Sequence, residues 1–329
     1  MFSVAITEKA LIARIRQLAK VRANSAVLTG IGDDCAVLRP GGRSGDRVDT
    51  LVTTDFSLEG VHFRRDWHTP ESVGHRCLGR GLSDIAAMGG EPVATFLSLA
   101  LPRGFSRKWV DRFSSGLMSL ASQYGVAIAG GDTAESPGGI LADIVVLGTV
   151  PKGNAILRSG ARAGDGIYVT GALGGSAAAV EIMRKKHRLN PQYYSRHFFP
   201  EPRVEVGRVL REKGLASAMI DTSDGLSTDL AHLCEESAVG AEVRAELIPR
   251  AAVGRPSREV DLELALHGGE DYELLFTAPR SKKVPQQIAG VPITQVGRIT
   301  RGRGMFLEHN GERSELKAGG WEHFVIRRT

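Results

Sequence analysis

The sequence is poor in cysteine and in aromatic residues, and it lacks long apolar runs. Its three cysteines, Cys35, Cys77 and Cys234, are far apart and form no Cys-x-x-Cys pair, so neither a disulfide framework nor a zinc site is indicated. No stretch approaches the ~20 consecutive apolar residues that span a bilayer, so we expect no membrane association. Met1–Lys20 is interrupted by charged residues and lacks the order of a secretory signal. We therefore expect a soluble protein of the reducing cytoplasm.

Nucleic acid is also a poor candidate partner, although the formal charge is +5. The basic residues are scattered, and with 6% aromatic residues the chain has few platforms on which bases could stack. The familiar nucleotide-binding signatures are missing as well. No Gly-Lys-Ser/Thr completes a Walker A loop, no Gly-x-Gly-x-x-Gly follows a strand, and no His-Arg-Asp and Asp-Phe-Gly pair is present. If a nucleotide binds here, an unrelated fold binds it.

Strand and helix patterns alternate along the whole chain, which predicts an α/β (α+β layered) protein. A length of 329 residues favours two domains. We place the boundary at the turn-rich Pro151-Lys152-Gly153-Asn154, giving domains 1–150 and 151–329. Helices are predicted at Thr7–Val21, Glu71–Met88, Ser106–Tyr124, Gly175–Lys185 and Leu226–Glu236. Strands are predicted at Asp49–Thr54, Pro92–Leu101, Val126–Ala129, Ala142–Val150, Gly166–Thr170, Ala216–Ile220, Glu270–Thr277 and Val291–Arg298, and an extended connection at Ser195–Arg203.

The most informative pattern is a short apolar strand followed by small residues and one or two acidic ones. It occurs at Gly30–Asp34, Thr53–Asp55, Leu82–Asp84, Gly130–Asp132, Asp221–Gly225 and Gly268–Asp271. One such segment alone is more often a turn than a site. Six of them at element ends are harder to explain as turns, because side chains at strand ends converge on one crevice in layered α/β proteins.

Gathering so many carboxylates is unfavourable unless cations neutralise them. The ligands would be oxygen atoms only, which selects a hard ion such as Mg²⁺. Aspartate-held Mg²⁺ beside glycine backbone N–H groups is the chemistry of polyphosphate binding.

In this order the motifs resemble the thiamine-monophosphate kinase family, within the superfamily that includes aminoimidazole ribonucleotide synthetase. The resemblance runs from about Gly30 to Phe324. Besides the acidic segments it rests on Glu59–Phe63, Ile85–Gly89, Arg158–Ala161, Glu270–Leu274 and Gly320–Phe324. It departs from the family at Phe113-Ser114-Ser115-Gly116, where members often have Phe-Tyr-Glu-Gly, and at Phe56-Ser57-Leu58 after Asp55.

The resemblance implies a two-domain fold whose N-terminal sheet pairs with its twin in a homodimer. It also implies an ATP-dependent phosphorylation of thiamine monophosphate to thiamine diphosphate, by direct in-line transfer with several Mg²⁺ ions. The metal ligands it implies are Asp34, Thr53, Thr54, Asp55, Asp84, Asp132, Asp221 and Asp224. Contacts to ATP are implied for Gly131, Asp132, Arg158 and Ser223, contacts to thiamine monophosphate for His62, Glu270 and Trp321, and catalytic roles for Asp55, Asp84, Asp132 and Arg158.

The chemistry of such a reaction agrees with these residue types. A phosphate acceptor is already anionic, so positioning and charge neutralisation matter more than a general base. Trp321 is suited to stack on the cationic thiazolium, and Glu270 to balance its charge.

Alternatives remain open on the sequence alone. The chain could be another ATP-using member of the superfamily, or a non-catalytic nucleotide- or metal-binding regulator on the same scaffold. The Gly-Gly-Glu-Asp-Tyr-Glu-Leu and Gly-Trp-Glu-His-Phe segments favour the kinase. His62 is alternatively a half-buried, hydrogen-bonded histidine, and Trp321 a packing residue near the C-terminus.

Overall fold

The computed structural model describes residues 7–19, 26–39, 47–185 and 188–324. Two mixed β-sheets, each covered by helices, make up this part of the chain, in agreement with the predicted α/β layering. The elements of the first half are α1 (Glu8–Ala19), β1 (Val27–Thr29), β2 (Ala36–Leu38), β3 (Val48–Leu58), α2 (Pro70–Ala87), β4 (Glu91–Pro102), α3 (Arg107–Gln123), β5 (Ala127–Ser136) and β6 (Leu141–Pro151).

The second half holds β7 (Gly166–Thr170), α4 (Gly175–Arg184), α5 (Ser195–Phe198), α6 (Val204–Glu212), β8 (Ala218–Asp221), α7 (Leu226–Ser237), β9 (Gly240–Arg244), β10 (Ala252–Val253), β11 (Arg258–Glu259), α8 (Leu262–His267), β12 (Leu274–Ala278), β13 (Gln287–Ile288), β14 (Val291–Thr300), β15 (Met305–His309) and β16 (Glu312–Glu315). Short 3-10 turns lie at Pro191–Tyr194 and Ala245–Leu247.

The first sheet has the strand order β1-β2-β3-β6-β4-β5, with β4 and β5 parallel and the other neighbours antiparallel. Side chains alternate across it as strand geometry requires. On β3 the residues Leu51 and Thr53 are buried toward the helices, whereas Thr54 and Phe56 are exposed on the opposite face. We call this opposite face the outer face.

Helices α2 and α3 pack together on the covered face of this sheet. Helix α2 begins sharply because Thr69 caps it, accepting a hydrogen bond from the Ser72 backbone N–H at 3.2 Å, and Pro70 follows at the first helical position. Gly74 lets α3 approach closely, since a Cβ there would lie 2.0 Å from the Phe113 carbonyl oxygen. The pairing of α2 with α3 fixes the direction in which the C-terminal turn of α2 points.

The second sheet has the order β16-β15-β9-β14-β7-β12-β8, with β13 paired to β14. Its strands β7, β12 and β8 are mostly buried, and β8 ends at Asp221. The largest apolar cluster joins the two halves, because Met219, Leu274 and Phe276 of this sheet pack in the same cluster as Leu51 and Ile144 of the first. The last residues of β8 are thereby held close to α2.

Most of the predicted elements are confirmed within one or two residues, among them the helix at 71–88 and the strand at 166–170. The predicted end of the first helix at Val21 and part of the basic run at 184–188 lie outside the described residues. Within the described ranges, no helix is both long and apolar enough to cross a membrane.

Four local predictions are wrong. The strands predicted to end at Thr54 and Ala129 continue to Leu58 and Ser136, so Asp55 and Asp132 lie within strands and not at their ends. The segment Ser195–Arg203 is not extended throughout, because Ser195–Phe198 forms a helical turn. The strand predicted at Glu270–Thr277 begins only at Leu274, since Glu270 (φ 65°) and Tyr272 (φ 51°) adopt left-handed backbone conformations. These conformations turn the chain at the edge of a cavity.

Candidate active site

Three of the acidic segments meet at one point. Asp34 follows β1, Asp84 lies in the last turn of α2, and Asp221 ends β8. One carboxylate oxygen from each lies within 4.8 Å of the other two. We call this group the carboxylate cluster. It confirms that strand and helix ends far apart in the chain converge.

Asp34 and Arg158 form an ion pair at this cluster. The Arg158 guanidinium donates to Asp34 Oδ1 at 2.7 Å, and the Arg158 backbone N–H donates to the side chain of Asp33 at 3.2 Å. The other Asp34 oxygen, Oδ2, is buried and has no hydrogen-bond partner among the described residues, and neither has the buried Nε of Arg158. Buried polar atoms are nearly always paired in proteins, so these two atoms point to a ligand at the cluster.

Hydroxyl groups orient the other two carboxylates. Thr53 Oγ1 donates to Asp84 Oδ2, and Ser83 Oγ donates to Asp221 Oδ2 at 2.5 Å. Because Thr53 belongs to β3 and Ser83 to α2, the sheet and the helix both set the position of the cluster.

The cluster is electrostatically strained. Burial and the charge of Asp34 raise the pKa of Asp221 to about 7. Burial, with Asp55 and Asp221, raises the pKa of Asp84 well above its ordinary value. Burial and Asp34 likewise raise the pKa of Asp33 to about 7. Such shifts are expected where like charges are gathered away from water, and a bound cation would reverse them.

Asp55, Ser223 and Asp224 surround the cluster on the cavity side. Asp55 is half-buried and contacts the guanidinium of Arg80 at 3.5 Å. Burial raises the pKa of Asp55, and Arg80 opposes this effect. Burial and Glu8 raise the pKa of Asp224 to about 6.

A cavity of about 810 Å³ opens beside the cluster. The three residues predicted to contact thiamine monophosphate, His62, Glu270 and Trp321, all line it. His62 is half-buried and its Nδ1 accepts a hydrogen bond from the Leu58 N–H at 3.0 Å. Burial, with Arg80, lowers the pKa of His62 to about 3, so the ring is neutral near pH 7.

Glu270 lies against two arginines. Its Oε1 is 2.7 Å from the Arg76 guanidinium and 3.7 Å from that of Arg80. Burial alone would raise the pKa of Glu270, but Arg76, His197 and Arg80 outweigh it and lower the pKa to about 2. Glu270 is therefore a fixed anion in the cavity wall.

Thr54, Gly131 and Asp132 do not reach the cluster within one chain. Thr54 faces the outer face, where its Oγ1 donates to Asp143 at 2.8 Å. Asp132 is exposed on β5, and β6 and β4 separate it from β3, a distance of about 14 Å at the usual strand spacing. Close packing explains why position 131 is a glycine, since a Cβ there would lie 1.8 Å from the Leu97 carbonyl oxygen.

Sequence reasoning missed Arg76, Arg80, His68 and His197. The two arginines precede Asp84 by eight and four residues, so all three share one face of α2. This spacing of four residues along a predicted helix indicates that both arginines lie on the same side of the helix as Asp84. The contact of 2.9 Å between His68 Nε2 and His197 Nε2 joins residues 129 positions apart, and no sequence pattern indicates it.

The chain is similar to known protein families and enzymes. Residues 32–150 match the N-terminal domain of AIR synthase related protein, and residues 162–310 match its C-terminal domain. The thiamine-monophosphate kinase of Salmonella typhimurium is 36% identical over 313 residues, which cover 91% of this chain and 93% of that protein. The Escherichia coli K12 enzyme of the same name is 37% identical over 308 residues, covering 90% and 92%.

Solved structures are also similar. A structure described as AaThiL complexed with AMPPCP and TMP is 31% identical, with a TM-score of 0.84, and the match covers 98% of this chain and 100% of that one. The thiamine-monophosphate kinase of Stenotrophomonas maltophilia K279a is 35% identical with a TM-score of 0.70, covering 94% and 99%. The hydrogenase maturation protein HypE of E. coli, at 17% identity and a TM-score of 0.68, covering 92% and 98%, shares the fold alone. The chain therefore belongs to the thiamine-monophosphate kinase family of enzymes.

Proposed function

We propose that this chain transfers the γ-phosphoryl group of ATP to thiamine monophosphate, producing thiamine diphosphate in thiamine diphosphate biosynthesis. The observation that carries the proposal is the carboxylate cluster opening into a cavity whose wall holds an aromatic ring and a fixed anion, Trp321 and Glu270. The names of the relatives support the same reaction. A cytoplasmic location stays a prediction.

We propose Mg²⁺ as the cation of the cluster. The ligand atoms are all carboxylate oxygens, which suit a hard divalent ion, and Asp34 Oδ2 accepts no hydrogen bond from the described residues. Asp34, Asp84 and Asp221 would hold the ion, with Asp55, Asp224 and the Thr53 hydroxyl beside them. When bound, Mg²⁺ neutralises charge on the polyphosphate and on the acceptor phosphate.

The protein's own groups then act by positioning. Arg158 holds Asp34 and offers its Nε–H to a phosphate oxygen of ATP, and Ser223 lines the cavity together with Asp221 and Asp224. An oxygen of the acceptor phosphate attacks the γ-phosphorus in line, the bond to the β,γ-bridging oxygen breaks, and ADP leaves. No general base is required, because the acceptor oxygen is already anionic.

The thiamine moiety would occupy the cavity. Trp321 is half-buried and lines this cavity, and an aromatic ring suits a cationic thiazolium. Glu270 adds a negative charge, although the arginines beside it already neutralise part of that charge. Because its Nδ1 accepts the Leu58 N–H, the neutral His62 ring carries its proton on Nε2 and can donate one hydrogen bond in the same wall.

We further propose a homodimer formed through the outer face of the first sheet. This face exposes Phe56, which is 54% accessible, and Val93 of β4 in the same sheet is 49% accessible. Large apolar side chains are seldom left uncovered together on one sheet. The register aligns Asp132 with Ser98, Asp143 and Phe56 in one row on this face. In such a dimer, Gly131 and Asp132 of one protomer would serve the ATP site of the other.

Mixed dimers test this arrangement. Asp84→Asn and Asp132→Asn should each be inactive alone. If Asp132 acts across the interface, co-expressed chains of both kinds recover about a quarter of the wild-type activity, because half of the dimers are mixed and each has one intact site. No recovery in dimers shown to be mixed would contradict the proposal, as would a monomeric, fully active wild type in sedimentation experiments.

The division into an ATP- and Mg²⁺-binding domain, 1–150, and a domain completing the active site, 151–329, stays a prediction. The reaction itself is tested directly. Purified protein with ATP, Mg²⁺ and thiamine monophosphate should yield thiamine diphosphate and ADP in equal amounts, measured by chromatography. Turnover of another phosphorylated acceptor, with none of thiamine monophosphate, would overturn the proposed function.

A further inference from the structure

Arg80 lies between the carboxylate cluster and the thiamine side of the cavity. It is on α2, one turn before Asp84, and its side chain lines the cavity while remaining 16% exposed. Its guanidinium contacts Asp55 on one side and Glu270 on the other.

The hydrogen-bonding capacity of Arg80 is poorly used. The contacts to Asp55 and Glu270 are 3.5 Å and 3.7 Å, longer than the 2.7–2.9 Å that is usual for a charged hydrogen bond. Its Nε is buried and has no hydrogen-bond partner within the described part of the chain. A guanidinium has five N–H donors, and burying them unpaired is unfavourable. Arg80 therefore has donors available for an anionic ligand.

Arg76 provides the contrast on the same face of α2. Its guanidinium is 2.7 Å from Glu270 Oε1 and donates to the backbone carbonyl oxygens of His197 and, at 3.5 Å, His62. Arg76 is 4% exposed and its contacts are structural. Charge balance for Glu270 is thus already supplied by Arg76, and Arg80 is not needed for it.

We propose that Arg80 binds the phosphate group of thiamine monophosphate and positions it for transfer. This inference rests on the proposed function. The acceptor phosphate must lie between the γ-phosphate at the cluster and the thiazolium beside Trp321 and Glu270, which is the position that the Arg80 guanidinium reaches. A planar guanidinium binds two oxygens of a phosphate monoester at once.

The test compares two ligands that differ only in this phosphate. Dissociation constants for thiamine monophosphate and for thiamine are measured by calorimetry, with Mg²⁺ and AMPPCP present, for wild type and for Arg80→Gln. We expect Arg80→Gln to weaken binding of thiamine monophosphate by about 10- to 100-fold and to leave thiamine binding unchanged. Arg80→Lys should give an intermediate loss of affinity for thiamine monophosphate, since lysine keeps the positive charge but lacks the planar guanidinium that binds two oxygens at once.

Arg65→Gln is the matched control, because Arg65 lies near the cavity and pairs with Glu59 without lining the cavity. It should alter neither constant. Equal weakening of both ligands by Arg80→Gln, or no weakening, would overturn the inference. If Arg80→Gln does not fold, the same comparison is made with Arg80→Lys, and an equal effect on both ligands is again decisive. Failure of the wild type to phosphorylate thiamine monophosphate would instead contradict the proposed function.

Discussion

The two faces of the first sheet hold acidic side chains in opposite surroundings. On the covered face, Asp84 lies with Asp34 and Asp221, and burial and like charges raise its pKa. On the outer face, Asp132 is exposed on an edge strand, three strands from Asp55. The two segments look alike in sequence, Leu-Ser-Asp and Gly-Gly-Asp. Only the covered carboxylate is held in a repulsive arrangement that a cation can relieve.

Removing divalent cations should have the largest effect. With EDTA in excess we expect no thiamine diphosphate to form, because the clustered carboxylates and the polyphosphate then repel each other. Activity should return with Mg²⁺ or Mn²⁺. Full turnover in chelator would contradict the assignment of the cluster.

Asp84→Asn and Asp132→Asn should separate the two faces. Each should lower kcat on the order of 10²-fold or more, as loss of one electrostatic stabiliser does. The melting temperature without ligand should be level or higher in Asp84→Asn, because repulsion inside the cluster is relieved, and unchanged in Asp132→Asn. Asp84→Asn combined with Asp221→Asn should lose little more than either alone. Calorimetry measures the melting temperatures and steady-state assays measure kcat. If kcat falls only in variants whose melting temperature also falls, these aspartates do not act as metal ligands.

Trp321→Ala should have a smaller effect, confined to the cavity. We expect the KM for thiamine monophosphate to rise by about 2- to 30-fold, the range for a lost contact between an aromatic ring and a cation, with the KM for ATP unchanged. Phe324→Ala is the control, because Phe324 is 60% exposed and does not line the cavity. An unchanged KM in Trp321→Ala would make Trp321 a packing residue.

The smallest effect concerns acid stability. Burial, with Arg76, lowers the pKa of His68 to about 4, below its value of about 6.5 in the unfolded chain. The unfolded chain therefore binds this proton more readily, so the contribution of His68 to stability is complete above pH 6.5 and is lost as the pH falls toward 4. His68→Gln should show a smaller decrease in unfolding free energy between pH 7 and pH 5 than wild type does. If urea titrations show the same decrease in unfolding free energy for wild type and His68→Gln, His68 does not contribute to the acid sensitivity.

Much of the fold followed from local patterns. The helix at Pro70–Ala87 and the strand at Gly166–Thr170 carry clear caps, breakers and apolar periodicity. The short elements were missed, as for Leu262–His267, because a single helical turn has too few residues to show a period. Glu270 and Tyr272 were misassigned since their left-handed backbone is imposed by tertiary contacts.

The site was only partly predictable for a related reason. Residue type and position at strand ends indicated that Asp34, Asp84 and Asp221 converge. Whether Asp132 joins them depends on the strand order β3-β6-β4-β5, which no local pattern contains. A role for Arg80 in the site could not be predicted, because the sequence does not show which face of α2 borders the cavity.

The carboxylate cluster takes its members from both halves of the chain, Asp34 and Asp84 from the first and Asp221 from the second, and one apolar core continues beneath them. Activity therefore requires that both halves of the chain are folded and packed together. A chain with only one half folded would present two aspartates or one, too few to hold the proposed ion firmly, and we expect it to be inactive. Activity would then begin only once both halves are folded and packed together, so that a chain folded in one half alone would consume no ATP.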